Sequence, residues 1–130
     1  MRWGPTSKSK FGNRKVHVGG ETFDSEFEYK RWRELCILQA AGQITDLQRQ
    51  VKFVLIPQQR EPDTIGPRGG VHQGKVIEQE CAYVADFVYR DDTGETVVED
   101  AKGFRTDDYV IKRKLMLWVH GIRVQEIRER

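Results

Sequence analysis

Hydrophobic positions repeat with a helical period over residues 24–41. At about 100° per residue, five apolar side chains fall on one side of this segment, namely Phe27, Trp32, Leu35, Cys36 and Leu38. Asp24 or Ser25 is a suitable N-cap, and Gly42 is suited to end the helix. Glu28 falls within the apolar side, where a carboxylate is costly unless it is paired or bound to metal. The first predicted helix therefore brings one candidate functional acid to the edge of the core.

Alternating apolar and polar positions predict a strand over about residues 51–56. Segments rich in β-branched and aromatic residues predict further strands over about 76–90 and 95–102. A turn at residues 91–94, which ends in a glycine, joins the last two as antiparallel neighbours. Residues 57–75 contain three prolines and four glycines. We expect this insertion to be a long loop or an extended, protruding hairpin.

A second helix is predicted to follow the N-cap Thr106, to run to His120 and to end at Gly121. Its apolar stripe consists of Ile111, Leu115, Trp118 and Val119. Residues 122–127 alternate as a final strand. A strand, a helix and a further strand in succession imply a crossover that makes the last strand parallel to a neighbour. The order α-β-β-β-α-β predicts an α/β (α+β) fold with a mixed central sheet flanked by helices.

The composition fits one domain with a sizeable core, since 38% of the 130 residues are apolar and 32% are charged. The net charge of +2 does not by itself indicate a nucleic-acid-binding protein. Basic residues are concentrated near the N-terminus, in a polar and glycine-rich stretch. We expect residues 1–21 to form a flexible basic arm and residues 22–130 to form the folded domain. A second basic concentration at residues 105–114 can add to a phosphate-facing side.

Cysteine content and hydropathy indicate in which cellular compartment the protein is expected. Cys36 and Cys81 have no metal-ligand spacing and are interpreted as core residues, not as a disulfide. No apolar run approaches the roughly 20 residues needed to cross a bilayer. The N-terminus has no hydrophobic signal segment. We therefore expect a cytoplasmic protein with no membrane partner.

Two predicted strands each carry an acid to one neighbourhood. Asp86 lies in the strand before the 91–94 turn, and Asp100 lies in the strand after it. Lys102 shares a face with Asp100, because side chains at i and i+2 of a strand point the same way. Two carboxylates and one ammonium that converge can hold a divalent metal and activate a water. This is the equipment for cleaving a phosphodiester bond.

Five motifs, in order along the chain, carry a resemblance to a known family. They are F-D-S-E-F-E at residues 23–28, R-E-L at 33–35, D-L-Q-R-Q at 46–50, Y-V-A-D-F-V-Y at 83–89 and V-E-D-A-K-G at 98–103. Over about residues 20–127 the chain resembles the PD-(D/E)xK nuclease superfamily, and within it a phage and prophage family of Holliday junction resolvase-like enzymes. The resemblance implies a restriction-endonuclease-like core and a metal-dependent DNA endonuclease acting in the cytoplasm of a bacterial host.

The resemblance also implies the role of each site residue. By position, Asp86 is the first acid of the superfamily motif, and Asp100 and Lys102 are its (D/E)xK pair. Glu28 matches the acid that many members place on the first helix. Mg²⁺, with Mn²⁺ able to substitute, is expected to bind Asp86, Asp100 and the Ala101 carbonyl, while Glu28 holds a second metal or orients a water. Lys102 is expected to orient the nucleophile or to steady a phosphate oxygen.

Several assignments stay open at this point. Ala85 stands where the motif name has proline. Glu99 lies beside Asp100, so a bulge could place Glu99 in the site instead, although the i, i+2 relation to Lys102 favours Asp100. Gln48 and Gln50 either approach the site or satisfy backbone groups in a turn, and the second role is favoured.

A four-way junction needs two symmetric nicks, so the resemblance implies a homodimer with two active sites. Seven basic residues are candidates for contacts to the DNA backbone: Lys8, Lys10, Arg14, Lys15, Lys112, Arg113 and Lys114. Two other functions stay open, namely a nicking or end-processing nuclease of the same superfamily and a non-catalytic DNA-binding protein on the same fold. Clustered acids repel phosphate unless a metal is present, which disfavours the non-catalytic protein.

Overall fold

The computed structural model describes residues 14–102 and 104–128. In chain order these residues form β1 (Val16–Val18), β2 (Glu21–Phe23), α1 (Glu26–Ala40), β3 (Thr45–Ile56), β4 (Gln59–Arg60), β5 (Thr64–Ile65), β6 (Val71–His72), β7 (Val76–Glu78), β8 (Cys81–Arg90), β9 (Thr96–Lys102), α2 (Asp107–His120) and β10 (Gln125–Arg128). The central sheet has the strand order β10-β9-β8-β3. β10 is parallel to β9, and the other pairs are antiparallel. The predicted mixed sheet and its parallel crossover are therefore confirmed.

Both helices begin and end at residues suited to cap them. Ser25 caps α1, and its hydroxyl accepts a hydrogen bond of 3.0 Å from the Glu28 amide. Thr106 caps α2 in the same way. Gly121 ends α2 with φ of 68°, a left-handed conformation that glycine adopts without a steric penalty. None of the helices in the described part of the chain is long and apolar enough to cross a membrane.

The two helices cover opposite faces of the sheet. Neighbouring residues of a strand point to opposite faces, and Val97 packs with residues of α1 whereas Val98 packs with residues of α2. The core on the α1 side contains Leu35, Ile44, Phe87 and Tyr89. The core on the α2 side contains Leu55, Tyr83, Ala85, Val88, Val98, Tyr109, Met116 and Val124.

The alternation of faces breaks in the middle of β8. A regular strand would point Ala85 and Phe87 to one face, yet Ala85 packs on the α2 side and Phe87 on the α1 side. On β3, Gln50 lies between the partners of these two residues and has φ of 55°. Asp46 has φ of 56° near the start of the same strand. The sequence predicted this strand over about residues 51–56, but β3 begins at Thr45. The two left-handed residues interrupt the alternation of apolar and polar positions by which the earlier half of the strand could have been recognised.

The insertion after β3 is an extended, paired structure, here called the ribbon (residues 57–80). β4 pairs with β7, and β5 pairs with β6 farther out, both antiparallel. The segment predicted as one strand over 76–90 is divided into β7 and β8. Near the N-terminus β1 and β2 pair as a hairpin, so residues 16–21 are part of the folded structure and not of a free arm.

The buried side of α2 differs from the predicted stripe. Ile111 is 58% exposed and Trp118 is 85% exposed, whereas Tyr109 and Met116 are buried. Tyr109 fits this position because its ring packs in the core while its hydroxyl donates a hydrogen bond of 2.9 Å to Glu126. The predicted stripe counted Ile111, Trp118 and the exposed Val119 as buried and was wrong about them.

Candidate active site

Asp86 and Asp100 meet where the β8–β9 ladder ends. The ladder runs from Arg90 and Thr96 to Phe87 and Glu99, and the two acids are the next residues beyond its end. There the Asp86 carboxylate replaces a backbone partner, since its Oδ2 accepts a hydrogen bond of 2.8 Å from the Ala101 amide. Both acids therefore lie just beyond the point where direct backbone pairing of β8 with β9 ends.

Asp100 is buried, and each of its two carboxylate oxygens lies against a hydrogen-bonding or cationic side chain. The side chain is 3% exposed, and the Tyr83 hydroxyl donates a hydrogen bond to its Oδ2. Its Oδ1 lies 3.2 Å from the ammonium of Lys102. Within the described residues this Oδ1 receives no hydrogen bond of proper geometry. Lys102 is itself fixed above the ring of Tyr109, 4.3 Å from the ring centroid.

Glu28 approaches Asp86 from the first turn of α1. It is 3% exposed, as the sequence predicted for an acid on the apolar side of the helix. The Arg49 guanidinium lies 3.4 Å from its Oε2 and also covers the face of the Phe23 ring. Burial raises the pKa of Glu28 and the nearby Asp24 adds to the rise, while Arg49 opposes it.

Gln50 links the acid on the helix to the acid on the strand. Its side-chain amide lies 3.5 Å from Oε2 of Glu28 and 3.4 Å from Oδ1 of Asp86. The sequence favoured a turn role for this residue, but the structure places its side chain among the acids. The positive φ of a non-glycine residue is an unfavourable conformation, and such residues concentrate at functional sites.

Asp86 is the acid whose ionisation is disfavoured by burial and by the neighbouring carboxylates. Burial raises the pKa of Asp86 to about 8, with further contributions from the charges of Asp100 and Glu28. The Ala101 amide and Lys102 oppose this rise only in part. A carboxyl group with so high a pKa, beside two further acids, marks a candidate functional site. A cation placed among these oxygens would remove the repulsion.

Glu99 has a different environment from Asp100. The Arg31 guanidinium donates two hydrogen bonds of 2.8 Å to its two carboxylate oxygens. The Tyr89 hydroxyl donates a third. Glu99 is 1% exposed on the α1 side of the sheet. The structure therefore places Asp100, and not Glu99, beside Asp86 and Lys102.

The oxygen atoms of Asp86 and Asp100 are the candidate metal ligands of the site. Within residues 14–102 and 104–128, no three side chains of His, Cys, Asp or Glu are close enough together to form a metal site by themselves. Asp86 and Asp100 nevertheless supply hard oxygen ligands, and Oδ1 of Asp100 lacks a hydrogen bond from the described residues. Mg²⁺ prefers such oxygen ligands, keeps several of its waters and needs no complete protein cage. The two carboxylates are therefore of the chemical type that a hydrated magnesium ion takes as ligands.

The predicted basic contacts are dispersed. Lys8 and Lys10 lie outside the described residues. Arg14 is exposed, and the Lys15 ammonium lies 3.7 Å from the Asp24 carboxylate. On α2, Lys112 is partly buried, Lys114 is exposed, and Arg113 forms an ion pair of 2.8 Å with Glu126.

Comparison with known proteins gives one match. A family described as "Protein of unknown function (DUF1064)" matches residues 8–127. The chain belongs to the DUF1064 family. A search of curated proteins and a search of solved structures each found no match. The DUF1064 match includes Glu28, Gln50, Asp86, Asp100 and Lys102, so the whole candidate site lies within the family region.

Sequence reasoning missed the Arg31–Glu99 pair in this DUF1064 chain. Glu28, Arg31 and Leu35 are spaced i, i+3 and i+7, so they share one side of α1. That spacing was the available signal that Arg31 faces the sheet. The partner itself is 68 residues away in sequence and had no local signal.

Proposed function

We propose that the chain is a metal-dependent endonuclease that cleaves branched DNA, with the four-way junction as its substrate. The observation that carries this proposal is the convergence of Asp86, Asp100 and Lys102 on adjacent strands, with the buried Glu28 beside them. The order of the main elements, α1-β3-β8-β9-α2-β10, also agrees with a restriction-endonuclease-like core. The motif resemblance supplies the substrate class.

Asp86 and Asp100, with the Ala101 carbonyl, would hold the catalytic Mg²⁺, and Mn²⁺ would substitute for it. When bound, such a cation acts as a Lewis acid toward a phosphoryl oxygen. Glu28 is separated from Asp86 by the Gln50 amide, so its proposed role is to orient a water or to assist a second cation.

The chain's own residues position the reacting groups. Tyr83 holds one oxygen of Asp100, while the other lies against the Lys102 ammonium. Lys102 is fixed over the Tyr109 ring, from where its ammonium would steady a phosphate oxygen. Gln50 maintains the spacing between two acids that repel each other. Such support limits the motion of the site before substrate binds.

A homodimer is part of this proposal, because a four-way junction is resolved by two symmetric nicks. Two-fold symmetry is the commonest arrangement of soluble oligomers, and it would give each copy one strand to cut.

The test is cleavage of a labelled four-way DNA junction, compared with a linear duplex and a splayed arm. Each substrate is incubated with Mg²⁺ and, separately, with EDTA. The variant Asp100→Asn removes one proposed metal ligand and keeps the side-chain shape. Asp92→Asn, in the exposed turn between β8 and β9, is the matched control for the lost charge. We expect Asp100→Asn to slow cleavage by roughly a hundredfold or more, and Asp92→Asn to cleave as wild type.

The possible outcomes test the nuclease activity, the junction selectivity and the DNA binding separately. Paired nicks on the junction alone, lost with EDTA and with Asp100→Asn, support a resolvase that uses this site. Equal cleavage of all three substrates keeps the nuclease and refutes junction selectivity. Tight binding without cleavage under any metal condition refutes the enzyme and leaves a DNA-binding protein.

A further inference from the structure

Three arginines converge on one carboxylate at the edge of the central sheet. Arg105 donates to Oε1 of Glu126 at 2.9 and 2.5 Å, and Arg128 donates to the same oxygen at 3.2 Å. Arg113 donates to Oε2 at 2.8 Å. These four side chains are here called the Glu126 cluster. They come from β10, from α2 and from the segment that precedes it, so the cluster is assembled by the fold.

The Glu126 cluster carries more positive charge than is needed to neutralise the Glu126 carboxylate. Three guanidiniums share one carboxylate, and each has five donors of which one or two are used on Glu126. The acid is the shielded partner, with its side chain 11% exposed, whereas Arg105 and Arg128 are 45% and 50% exposed. The surplus donors therefore face solvent, as a site for an external anion requires.

The acid is a stable anchor for these arginines. Burial alone would raise the pKa of Glu126, but hydrogen bonds from Arg113 and Tyr109 help to lower it to about 2. Its carboxylate stays ionised at neutral pH and keeps the guanidiniums in place. A purely structural ion pair between α2 and β10 needs one arginine, and the other two are not explained by it.

The Glu126 cluster is adjacent to the candidate active site. In the parallel pairing of β10 with β9, Glu126 is the partner of Asp100 and Arg128 is the partner of Lys102. Neighbouring strands are about 4.8 Å apart. Tyr109 connects the two places directly, since its hydroxyl bonds Glu126 while its ring lies beneath Lys102.

A groove runs along the same edge of the sheet. It has a volume of about 750 Å³, and its lining is of mixed charge, with Lys30, Arg31 and Arg128 beside Glu34 and Glu126. A nucleic-acid strand that reaches Asp86 and Asp100 must bring polyanionic backbone past three carboxylates. Positive charge beside them lowers the electrostatic cost of that approach.

We propose that Arg105, Arg113 and Arg128, anchored by Glu126, bind a backbone phosphate of the DNA strand next to the phosphate that is cleaved. This inference rests on the proposed function for the identity of the ligand. It places the phosphate contact on the Glu126 cluster and not on Lys112 or Lys114. Because such a contact is to the backbone, it positions the strand without reading its sequence.

The test measures DNA binding by the full-length chain in EDTA, so that no cleavage is involved. Fluorescence anisotropy with a labelled four-way junction and a labelled duplex is recorded over a series of salt concentrations. Arg128→Ala removes one guanidinium of the cluster. Arg90→Ala is the matched control, because Arg90 is 57% exposed and paired with a single carboxylate, that of Asp46. Glu126→Gln keeps all three arginines but removes the anchoring charge, and thermal melts verify that every variant is folded.

We expect Arg128→Ala to weaken binding of both DNAs roughly three- to tenfold and to lower the slope of log K against log salt by about 1. Arg90→Ala should bind as wild type, and Glu126→Gln, which loses the charge that holds the three arginines together, should bind DNA more weakly than wild type. Equal effects of Arg128→Ala and Arg90→Ala would overturn the phosphate site. Folded Glu126→Gln protein that binds as wild type would refute the anchoring role of Glu126. Binding that follows the expected pattern without any cleavage in Mg²⁺ would refute the nuclease and keep the phosphate site.

Discussion

Replacing Asp86 by asparagine should make the metal-free protein more stable at alkaline pH. The pKa of Asp86 is about 8 in the folded protein and near 3.8 when unfolded, so the folded state binds the proton more tightly. The protonated Asp86 carboxyl therefore contributes to the free energy of unfolding. This contribution is fully present below about pH 4 and is lost as the pH rises through about 8. Asparagine never ionises, and its carbonyl oxygen can still accept the Ala101 amide hydrogen bond.

The size of the effect follows from the shift and from the exposure of the group. Each pKa unit between the two states is worth about 1.4 kcal/mol, so the change from 3.8 to about 8 sets an upper limit of about 6 kcal/mol. Asp86 is partly exposed and Lys102 is close to it, so solvent screening reduces this limit. We expect Asp86→Asn to gain about 2 kcal/mol over wild type at pH 8.5.

Urea unfolding followed by tryptophan fluorescence measures this difference, in EDTA, at pH 5.5 and pH 8.5. Trp32 stacks on Phe87, next to Asp86 in sequence, and is a suitable reporter. Asp92→Asn controls for the loss of one negative charge at an exposed position. The reasoning is refuted if wild type and Asp86→Asn lose the same stability between the two pH values.

Four further outcomes test other parts of the structure. Millimolar Mg²⁺ should raise the Tm of wild type at pH 8 by a few degrees but leave Asp86→Asn unchanged in differential scanning fluorimetry, since a ligand stabilises only the state that binds it. Glu99→Gln should lower the free energy of unfolding by about 3 kcal/mol in urea titrations, because it leaves Arg31 without its charged partner; cleavage per folded molecule should persist. Gln50→Gly should relieve about 1 kcal/mol of backbone strain while slowing junction cleavage at least tenfold, and equal cleavage would contradict the positioning role. Trp118→Ser should change stability by less than about 0.5 kcal/mol in thermal melts, because the side chain is 85% exposed.

Local chemistry explains why the outline of the fold was predictable. Ser25, Thr106 and Gly121 have side chains or backbone preferences that specify a helix end without help from distant residues. The parallel pairing of β10 followed from the chirality of a strand-helix-strand connection. Asp100 and Lys102 were placed together by the period of a strand alone.

The features that sequence reasoning missed depend on contacts between distant residues. The exposed face of α2 was predicted to be buried, because Trp118 is more apolar than Tyr109 and hydropathy takes no account of a hydroxyl partner on β10. Gln50 was assigned to a turn, because nothing in its residue type indicates a left-handed backbone inside a strand. The choice of Asp100 over Glu99, by contrast, was already favoured by the i, i+2 relation to Lys102 within one strand.

The ribbon has a consequence for how this fold tolerates changes in length. Its two ends leave the central sheet side by side, since Ile56 pairs with Cys81 in the β3–β8 ladder. All four strands of the central sheet and both helices lie outside it. A short turn between Ile56 and Cys81 would therefore close the hairpin without altering the position of Asp86, and closing a shorter loop costs less entropy. The ribbon is a natural point for insertion, deletion or fusion, and its outline can vary between homologues while the acids keep their places.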